Sequence, residues 1–430
     1  MIERIGPAQH LDATIEVPGD KSISHRALIL GAIARGRSYI GNCSPADDVE
    51  STMRCLRDAG GWVRAFGRGR VYLDGSGAGA TLRTPDGPLD CGNSGSTMRL
   101  LAGVLAGHDL NAVLDGDASL RRRPMRRVAE PLRAMGAEVA TAHGGTAPLE
   151  IQGHRPLHAL EWRPEVASAQ VKSAILLAGL AADGDTVVEE PLPTRDHTER
   201  LLRMCGVDVG IDGRRVTVTP GDPQPFGLRV PGDVSSAAFF LALASARQGW
   251  RMRCNGVGLN PGRTGFLDVL IAMGAEIEVE EGEPAGGVEP VGAVTVRGRD
   301  LHETVIAGEL TVRCIDELPV LAVIATQAHG ETEIRDAAEL RAKESDRIAA
   351  VAHGLRALGG ACEETSDGLV VTGPSQLHGA HLDSHGDHRL AMAWAVAAAL
   401  AREGDCHIAG AEAASVSFPG FFDALRHALS

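Results

Sequence analysis

The sequence predicts an α/β protein of two domains assembled from six copies of one unit. Two recurrences and one duplicated tetrapeptide predict it. Five segments read Leu-x-x-small-Gly and run on into a β-like stretch: LRDAGGWV from Leu56, LRAMGAEV from Leu132, LRMCGVDV from Leu202, LIAMGAEI from Leu270 and LRALGGAC from Leu355. Each reads as a helix that stops on a glycine and turns into a strand. In parallel runs a series of small-residue apolar helices with polar starts near Ser24, Ser96, Ser168, Ser235, Asp316 and Asp387, at intervals of 72, 72, 67, 81 and 71 residues. Their Ala- and Gly-rich character suits close packing on all sides, as inside a ring of sheets. Finally, VPGD occurs at residues 17–20 and again at 230–233, each time directly before one of the apolar helices. These are read as two strands passing between domains. One domain is then residues 20–229, and the other combines 1–19 with 230–430. The stretch 281–291, EGEPAGGVEPV, is read as a loop inside one unit, because the repeat continues through it.

Composition limits the classes of function. At 430 residues with 44% hydrophobic content the chain can build real cores, and 3% aromatics leaves those cores to Ala, Leu, Val and Ile. A net charge of −14 argues against non-specific nucleic-acid or anionic-membrane binding. A small anionic substrate stays open if basic residues are focused in one place. The eight cysteines form no CxxC pair and no cluster at metal spacing, which reads as reduced thiols in a cytoplasmic protein. The start, MIERIGPAQHLD, carries no apolar signal core, and the longest apolar run, 390–401, is too short to span a bilayer. Neither a metal nor a cofactor is expected, and cationic side chains must carry any charge neutralisation.

Residues 17–36, VPGDKSISHRALILGAIARG, open the first apolar helix. Lys21, Ser22, Ser24 and Arg26 gather at its start, with Ser22 or Ser24 read as the N-cap and Gly36 as the stop. Hydroxyls and cations at a helix N-terminus suit an anion, because free N–H groups and the dipole favour negative charge there. Taken alone, an ordinary capped core helix with solvated basic residues reads the same way. The chain, however, repeats the device. LDCGNSGSTMRLLAG supplies Asn93, Ser94, Gly95, Ser96 and Thr97; LRRRPM sets three arginines before a proline; VASAQVKSAILLAG brings Ser168, Gln170 and Lys172. PTRDHTERLL adds a charged loop with Arg195 and His197.

The later half brings carboxylates. Asp316 and Glu317 start one helix, Lys343, Glu344, Asp346 and Arg347 another, and Asp387, His388 and Arg389 a third. Acidic residues at such places usually cap helices, but Lys-Glu-x-x-Arg also sets Arg347 one helical turn after Lys343 and beside Glu344. Together the six starts offer lysines and arginines for several negative charges, and carboxylates for proton transfer.

Nine motifs in order now resemble one family over essentially the whole chain: PGDKSISHRAL, GNSGSTMRLL, RRRPM, SAQVKSAILLAG, TRDHTERLL, NPGRTGFLDVL, IDELPVLAVIA, LRAKESDRI and GDHRLAMA. The family is the enolpyruvyltransferases, and within it the branch that acts on shikimate 3-phosphate. The resemblance implies a two-domain inside-out α/β barrel, with three βαβαββ repeats per domain, helices inside and sheets outside, closing over a cleft. It implies transfer of the enolpyruvyl group of phosphoenolpyruvate to the 5-hydroxyl of shikimate 3-phosphate, with phosphate released through a tetrahedral intermediate. By motif match Lys21, Ser22, Arg26, Ser168, Gln170, Asp316 and Lys343 would hold shikimate 3-phosphate. Lys21, Gly95, Arg123, Gln170, Arg347 and Arg389 would hold phosphoenolpyruvate. Lys21, Asp316 and Glu344 would handle protons, with Asp316 as base at the 5-hydroxyl.

The resemblance further implies that the herbicide glyphosate takes the phosphoenolpyruvate position beside Gly95, with Leu100 where sensitive relatives often have proline. The partners expected are these two small molecules, acting on a monomer. Two positions depart from the family pattern: Val416 stands where a lysine precedes Thr-Phe-Pro, and Ala169 where many relatives have a second serine. Arg195 and His197 are candidates to compensate. Two other readings stay open: the sister family that uses UDP-N-acetylglucosamine, whose usual cysteine position holds Arg121 and Arg122 here, and a non-catalytic anion-binding paralogue, which would not need the carboxylates.

Overall fold

Helices of two kinds alternate along the chain in the computed structural model, which describes residues 1–430. Each apolar helix is followed by an amphipathic one: α1 (Lys21–Ile33) by α2 (Asp47–Asp58), α3 (Gly95–Ala106) by α4 (Arg126–Ala134), α5 (Ala169–Gly179) by α6 (His197–Met204), and α7 (Val234–Ser245) by α8 (Gly265–Ala272). Past the short α9 (Glu309–Arg313), α10 (Leu318–Ala325) is followed by α11 (Arg347–Ala357), and α12 (His388–Leu400) by α13 (Phe421–Ala428). The apolar helices are inside: every residue of α7, α10 and α12 is buried. The amphipathic α4, by contrast, buries only Val128, Ala129, Pro131 and Leu132. No helix is long and apolar enough to cross a membrane.

Residues 89–152 show the repeat in full. Strand Leu89–Asp90 leads through α3 to the parallel strand Asn111–Asp115. Then α4 leads to the hairpin Glu138–Ala142 and Thr146–Gln152, whose second strand pairs antiparallel with Asn111–Asp115. Strand Thr146–Gln152 buries alternate residues, so the sheet has one core face and one outer face. Two of the repeats borrow their first strand from a distant part of the chain. Gly227–Arg229 pairs in parallel with strand Arg35–Gly41, which follows α1, and Asp12–Glu16 with strand Arg251–Gly258, which follows α7. The sixth repeat departs from the expected βαβαββ order. Its sheet has three strands, His381–Asp383, Cys406–Ala409 and the N-terminal Ile2–Ile5, because α13 leads into no hairpin.

The chain forms two compact units, each with its own apolar core. Domain I is Gly19–Pro231 with Pro284–Glu289; domain II is Met1–Pro18, Gly232–Glu283 and Pro290–Ser430. Both crossings therefore fall inside VPGD, a residue or two from 19/20 and 229/230. Residues 281–291 join strands Glu276–Glu281 and Val291–Arg297 of one hairpin, but the tip belongs to domain I, where Arg200 Nη1 donates to Val288 O at 2.8 Å.

The aspartate of VPGD explains where the helices begin. Asp20 accepts from Ile23 N at 2.8 Å and Asp233 from Ser235 N at 2.9 Å, so Asp20, not Ser22 or Ser24, caps α1. Ser24 is buried instead and accepts from Ser44 N at 2.9 Å. The helix also ends before Gly36, at Ala34, whose extended backbone leads directly into the next strand. The five helix-ending glycines are as expected. Gly60, Gly136, Gly206, Gly274 and Gly359 have φ from +75° to +101°, and the residue after each bonds back to the leucine carbonyl that opens its motif. In four of them the arginine after that leucine adds a second latch: Arg57, Arg133, Arg203 and Arg356 donate to the carbonyls of Val63, Val139, Val209 and Cys362 in the next strand.

Candidate functional site

In domain I the helix starts collect cations. Lys21 opens α1 and its Nζ lies 2.8 Å from Asp48 Oδ2 on α2. The Asp48 carbonyl accepts from Thr97 Oγ1 at 3.2 Å, which ties that pair to the start of α3. Ser94 caps α3, so Gly95 is its first residue. A β-carbon on Gly95 would lie 2.8 Å from Arg99 Nη1 and 3.3 Å from Arg123 Nη1, and two guanidinium groups therefore flank its backbone. Arg123 comes from the extended residue after a 3-10 turn at Leu120–Arg122, and donates to Asn93 Oδ1 at 2.5 Å. Gln170, in the first turn of α5, accepts from Arg99 Nη1 at 2.5 Å and donates to Ser96 Oγ at 2.9 Å. Ser168 caps the same helix.

Ser22 and Arg26 adjoin this group. The Ser22 carbonyl accepts from Arg26 Nη1 at 3.0 Å, while Arg26 Nε reaches Thr198 Oγ1 at 2.7 Å and Nη2 reaches Ser173 Oγ at 2.9 Å. Domain I thus joins Lys21, Arg26, Gly95, Arg123 and Gln170 through short links, and adds Arg99, which the sequence reading passed over inside GNSGSTMRLL. A fully buried histidine supports the arrangement from behind. His25 Nδ1 lies 2.7 Å from Thr52 Oγ1, Thr52 lies 2.7 Å from Thr97 Oγ1, and Thr97 Oγ1 lies 2.8 Å from Ser94 Oγ. Burial, then Lys21 and Arg26, push the His25 imidazole well below its ordinary range. His197, a candidate to compensate at the ligand, is engaged elsewhere: it is buried, with Nδ1 2.7 Å from Glu289 Oε1. Arg195 stays half-buried in the loop before α6.

In domain II one arginine gathers the carboxylates. Arg347 is fully buried, and its Nε and Nη2 meet Asp387 Oδ2 and Oδ1 at 2.8 and 3.2 Å. Nη2 also meets Glu344 Oε2 at 2.6 Å, and Nη1 lies 3.6 Å from Asp316 Oδ1. Burial opposes this charge, but Asp387, Glu344 and Asp316 outweigh it and hold the guanidinium protonated. Asp387 also caps α12 by accepting from Arg389 N at 2.8 Å. The expected helical turn from Lys343 to Arg347 is absent, because α11 begins at Arg347 with Asp346 as its cap. Lys343 stands apart from the fan and pairs with Glu339 Oε1 at 3.2 Å. Arg389 is buried, 6.0 Å from the Phe239 ring centroid, and its Nε has no hydrogen-bond partner. Val416 ends a 3-10 turn at Ala411–Val416, beyond which Phe418 packs on Phe240.

Chemically, domain I presents guanidinium, ammonium, hydroxyl and amide donors at helix N-termini, which suits anionic oxygens. Domain II holds two carboxylates, Asp316 and Glu344, on one buried cation, which suits proton transfer.

Comparison with known proteins agrees with that chemistry. Residues 5–425 match the family described as EPSP synthase (3-phosphoshikimate 1-carboxyvinyltransferase). The protein named 3-phosphoshikimate 1-carboxyvinyltransferase from Desulfitobacterium hafniense is 50% identical over 426 residues, covering 98% of this chain and 97% of its own. The one so named from Alkalilimnicola ehrlichii is 49% identical over 420 residues, covering 97% and 94%. Among solved structures, EPSP synthase from Acinetobacter baumannii superposes with a TM-score of 0.87 at 39% identity, covering 99% of this chain and 98% of the other.

Proposed function

The chain belongs to the EPSP synthase family, the 3-phosphoshikimate 1-carboxyvinyltransferases, and we propose that its two groups of residues divide that reaction between them. It is a transferase of the shikimate pathway. The oxygen of the 5-hydroxyl of shikimate 3-phosphate bonds to C2 of phosphoenolpyruvate while C3 takes a proton. The tetrahedral intermediate then loses phosphate and one proton of its new methyl group, which restores the double bond.

Asp316 takes the 5-hydroxyl proton, and Glu344 and Lys21 handle the protons at C3 and at the leaving oxygen. The observation that carries this division is the Arg347 fan. One buried guanidinium lies 2.6 Å from Glu344 and 3.6 Å from Asp316, so two carboxylates sit close together without either being an isolated buried charge. For the anions, Ser22, Arg26, Ser168 and Gln170, with Lys21, Asp316 and Lys343, are assigned to shikimate 3-phosphate. Gly95, Arg123, Gln170, Arg347 and Arg389, with Lys21, are assigned to phosphoenolpyruvate. Arg99 joins the second set, since its Nη1 donates to Gln170 and flanks the Gly95 backbone.

The experiment is phosphate release on mixing phosphoenolpyruvate with either shikimate 3-phosphate or UDP-N-acetylglucosamine. Release with the first acceptor alone is expected; release only with the second would overturn the assignment. We further propose a cytoplasmic monomer, and the eight cysteines, all buried as free thiols, support a reducing compartment.

A further inference from the structure

Behind the α5 residues assigned to substrate lies a charged cluster with no role so far. Lys172 Nζ is 2.7 Å from Glu199 Oε1 and 2.9 Å from Glu190 Oε2, and the three side chains are 1%, 1% and 5% exposed. Thr194 Oγ1 donates to Glu190 as well. The ammonium thus ties α5 to Glu190, at the start of the loop 190–196 that carries Arg195, and to Glu199 in the first turn of α6.

One residue along, a second contact runs beside the first. Ser173 Oγ and Thr198 Oγ1 are 2.7 Å apart, and Ser173 donates its own proton to Ala169 O at 2.6 Å. The bond between the two hydroxyls is therefore donated by Thr198, which leaves both oxygens able to accept from Arg26. Arg26 uses both, through Nε and Nη2, at 2.7 and 2.9 Å. These hydroxyls form a cradle whose width is the spacing of α5 and α6, and Lys172–Glu199 sets that spacing from the adjacent positions. For stability alone a buried ion cluster is a poor choice, since apolar side chains of similar volume commonly serve as well or better. Fixed geometry is what such a cluster adds.

We propose that Lys172, held by Glu199 and Glu190, is a positioning residue for shikimate 3-phosphate, clamping α6 to α5 so that Arg26 and the loop 190–196 keep the geometry that receives the substrate. The inference rests on the reading in which Arg26 binds that substrate. Its test is steady-state kinetics of Lys172→Met and Glu199→Gln, with thermal unfolding of each. Lys172→Met is expected to raise KM for shikimate 3-phosphate by about tenfold or more, with KM for phosphoenolpyruvate within about twofold of wild type. Glu199→Gln should move the same constant the same way by about threefold, because an amide weakens the tie but keeps its shape.

In an Arg26→Lys background, Lys172→Met should add little further rise, since residues that act through one another are not additive. A folded Lys172→Met with lower melting temperature and unchanged KM for shikimate 3-phosphate would overturn the proposal and leave a packing role. If Lys172→Met fails to fold, Glu199→Gln decides by the same constant, and an unchanged value overturns it. Absence of phosphate release by the wild-type protein would instead strike the reading of the site itself.

Discussion

Arg347 and Asp387 are joined by two parallel hydrogen bonds, Nε to Oδ2 at 2.8 Å and Nη2 to Oδ1 at 3.2 Å, although the two residues lie forty positions apart in sequence. Both are essentially inaccessible to solvent. The same carboxylate caps α12, so one side chain fixes both the guanidinium that holds Glu344 and Asp316 and the start of the helix bearing Arg389.

Asp387→Ala should therefore destabilise domain II by about 3–5 kcal/mol, the usual loss when one partner of a buried ion pair is removed and the other stays charged. Asp387→Asn should lose less, because an amide can still accept at the helix cap. Urea unfolding of the two variants measures it. A loss under about 1 kcal/mol in Asp387→Ala would mean that Glu344 and Asp316 alone satisfy Arg347.

Gly95→Ala should separate the herbicide from the substrate. The new methyl would stand 2.8 Å from Arg99 Nη1 and 3.3 Å from Arg123 Nη1, so one or both guanidinium groups must shift. Overpacking of this size typically costs about 1–3 kcal/mol. Wild type, with its glycine, should be inhibited by glyphosate competitively with phosphoenolpyruvate. The variant should show an inhibition constant raised much more than KM for phosphoenolpyruvate, because the longer inhibitor needs the space the methyl takes. Equal shifts, or none, would remove Gly95 from the site.

His25 should make the protein labile to mild acid. Its imidazole titrates in the fold below the ordinary 6.5, chiefly through burial and then through Lys21 and Arg26. As pH falls, the unfolded chain takes up this proton first. The stability from neutral His25 is complete above that ordinary value and is lost as pH falls from there through the folded value, at up to about 1.4 kcal/mol per pH unit. His25→Gln should be less stable at neutral pH, where the hydrogen bond to Thr52 matters, yet lose less between pH 6.5 and 5. Parallel stability–pH curves for the two proteins would contradict this.

The repeat, the two crossings and the helix starts were legible because they rest on local signals: glycine stops, VPGD, and apolar runs too uniform to be surface helices. Asp20 rather than Ser22 or Ser24 caps α1, a choice the local sequence does not make because Asp, Ser and Thr are near-equal N-caps in isolation. Only the extended backbone after Pro18-Gly19 decides for Asp20. The Arg347 fan was legible in part. Glu344 is three residues away in sequence, but the partnership with Asp387 depends on how α11 and α12 pack. Lys172 carried a signal, a lone cation inside SAQVKSAILL, although its partners 18 and 27 residues on could not be named from one sequence. Arg99 was hidden by the same limit, since nothing local pairs it with Gln170.

The division of labour stands or falls with Asp316. Asp316→Asn keeps the shape of the side chain and removes its capacity to take a proton. Turnover of phosphoenolpyruvate with shikimate 3-phosphate should fall on the order of a hundredfold or more, while the dissociation constant for shikimate 3-phosphate stays within about threefold of wild type. Near-normal turnover in Asp316→Asn would contradict the assignment of this residue as the base.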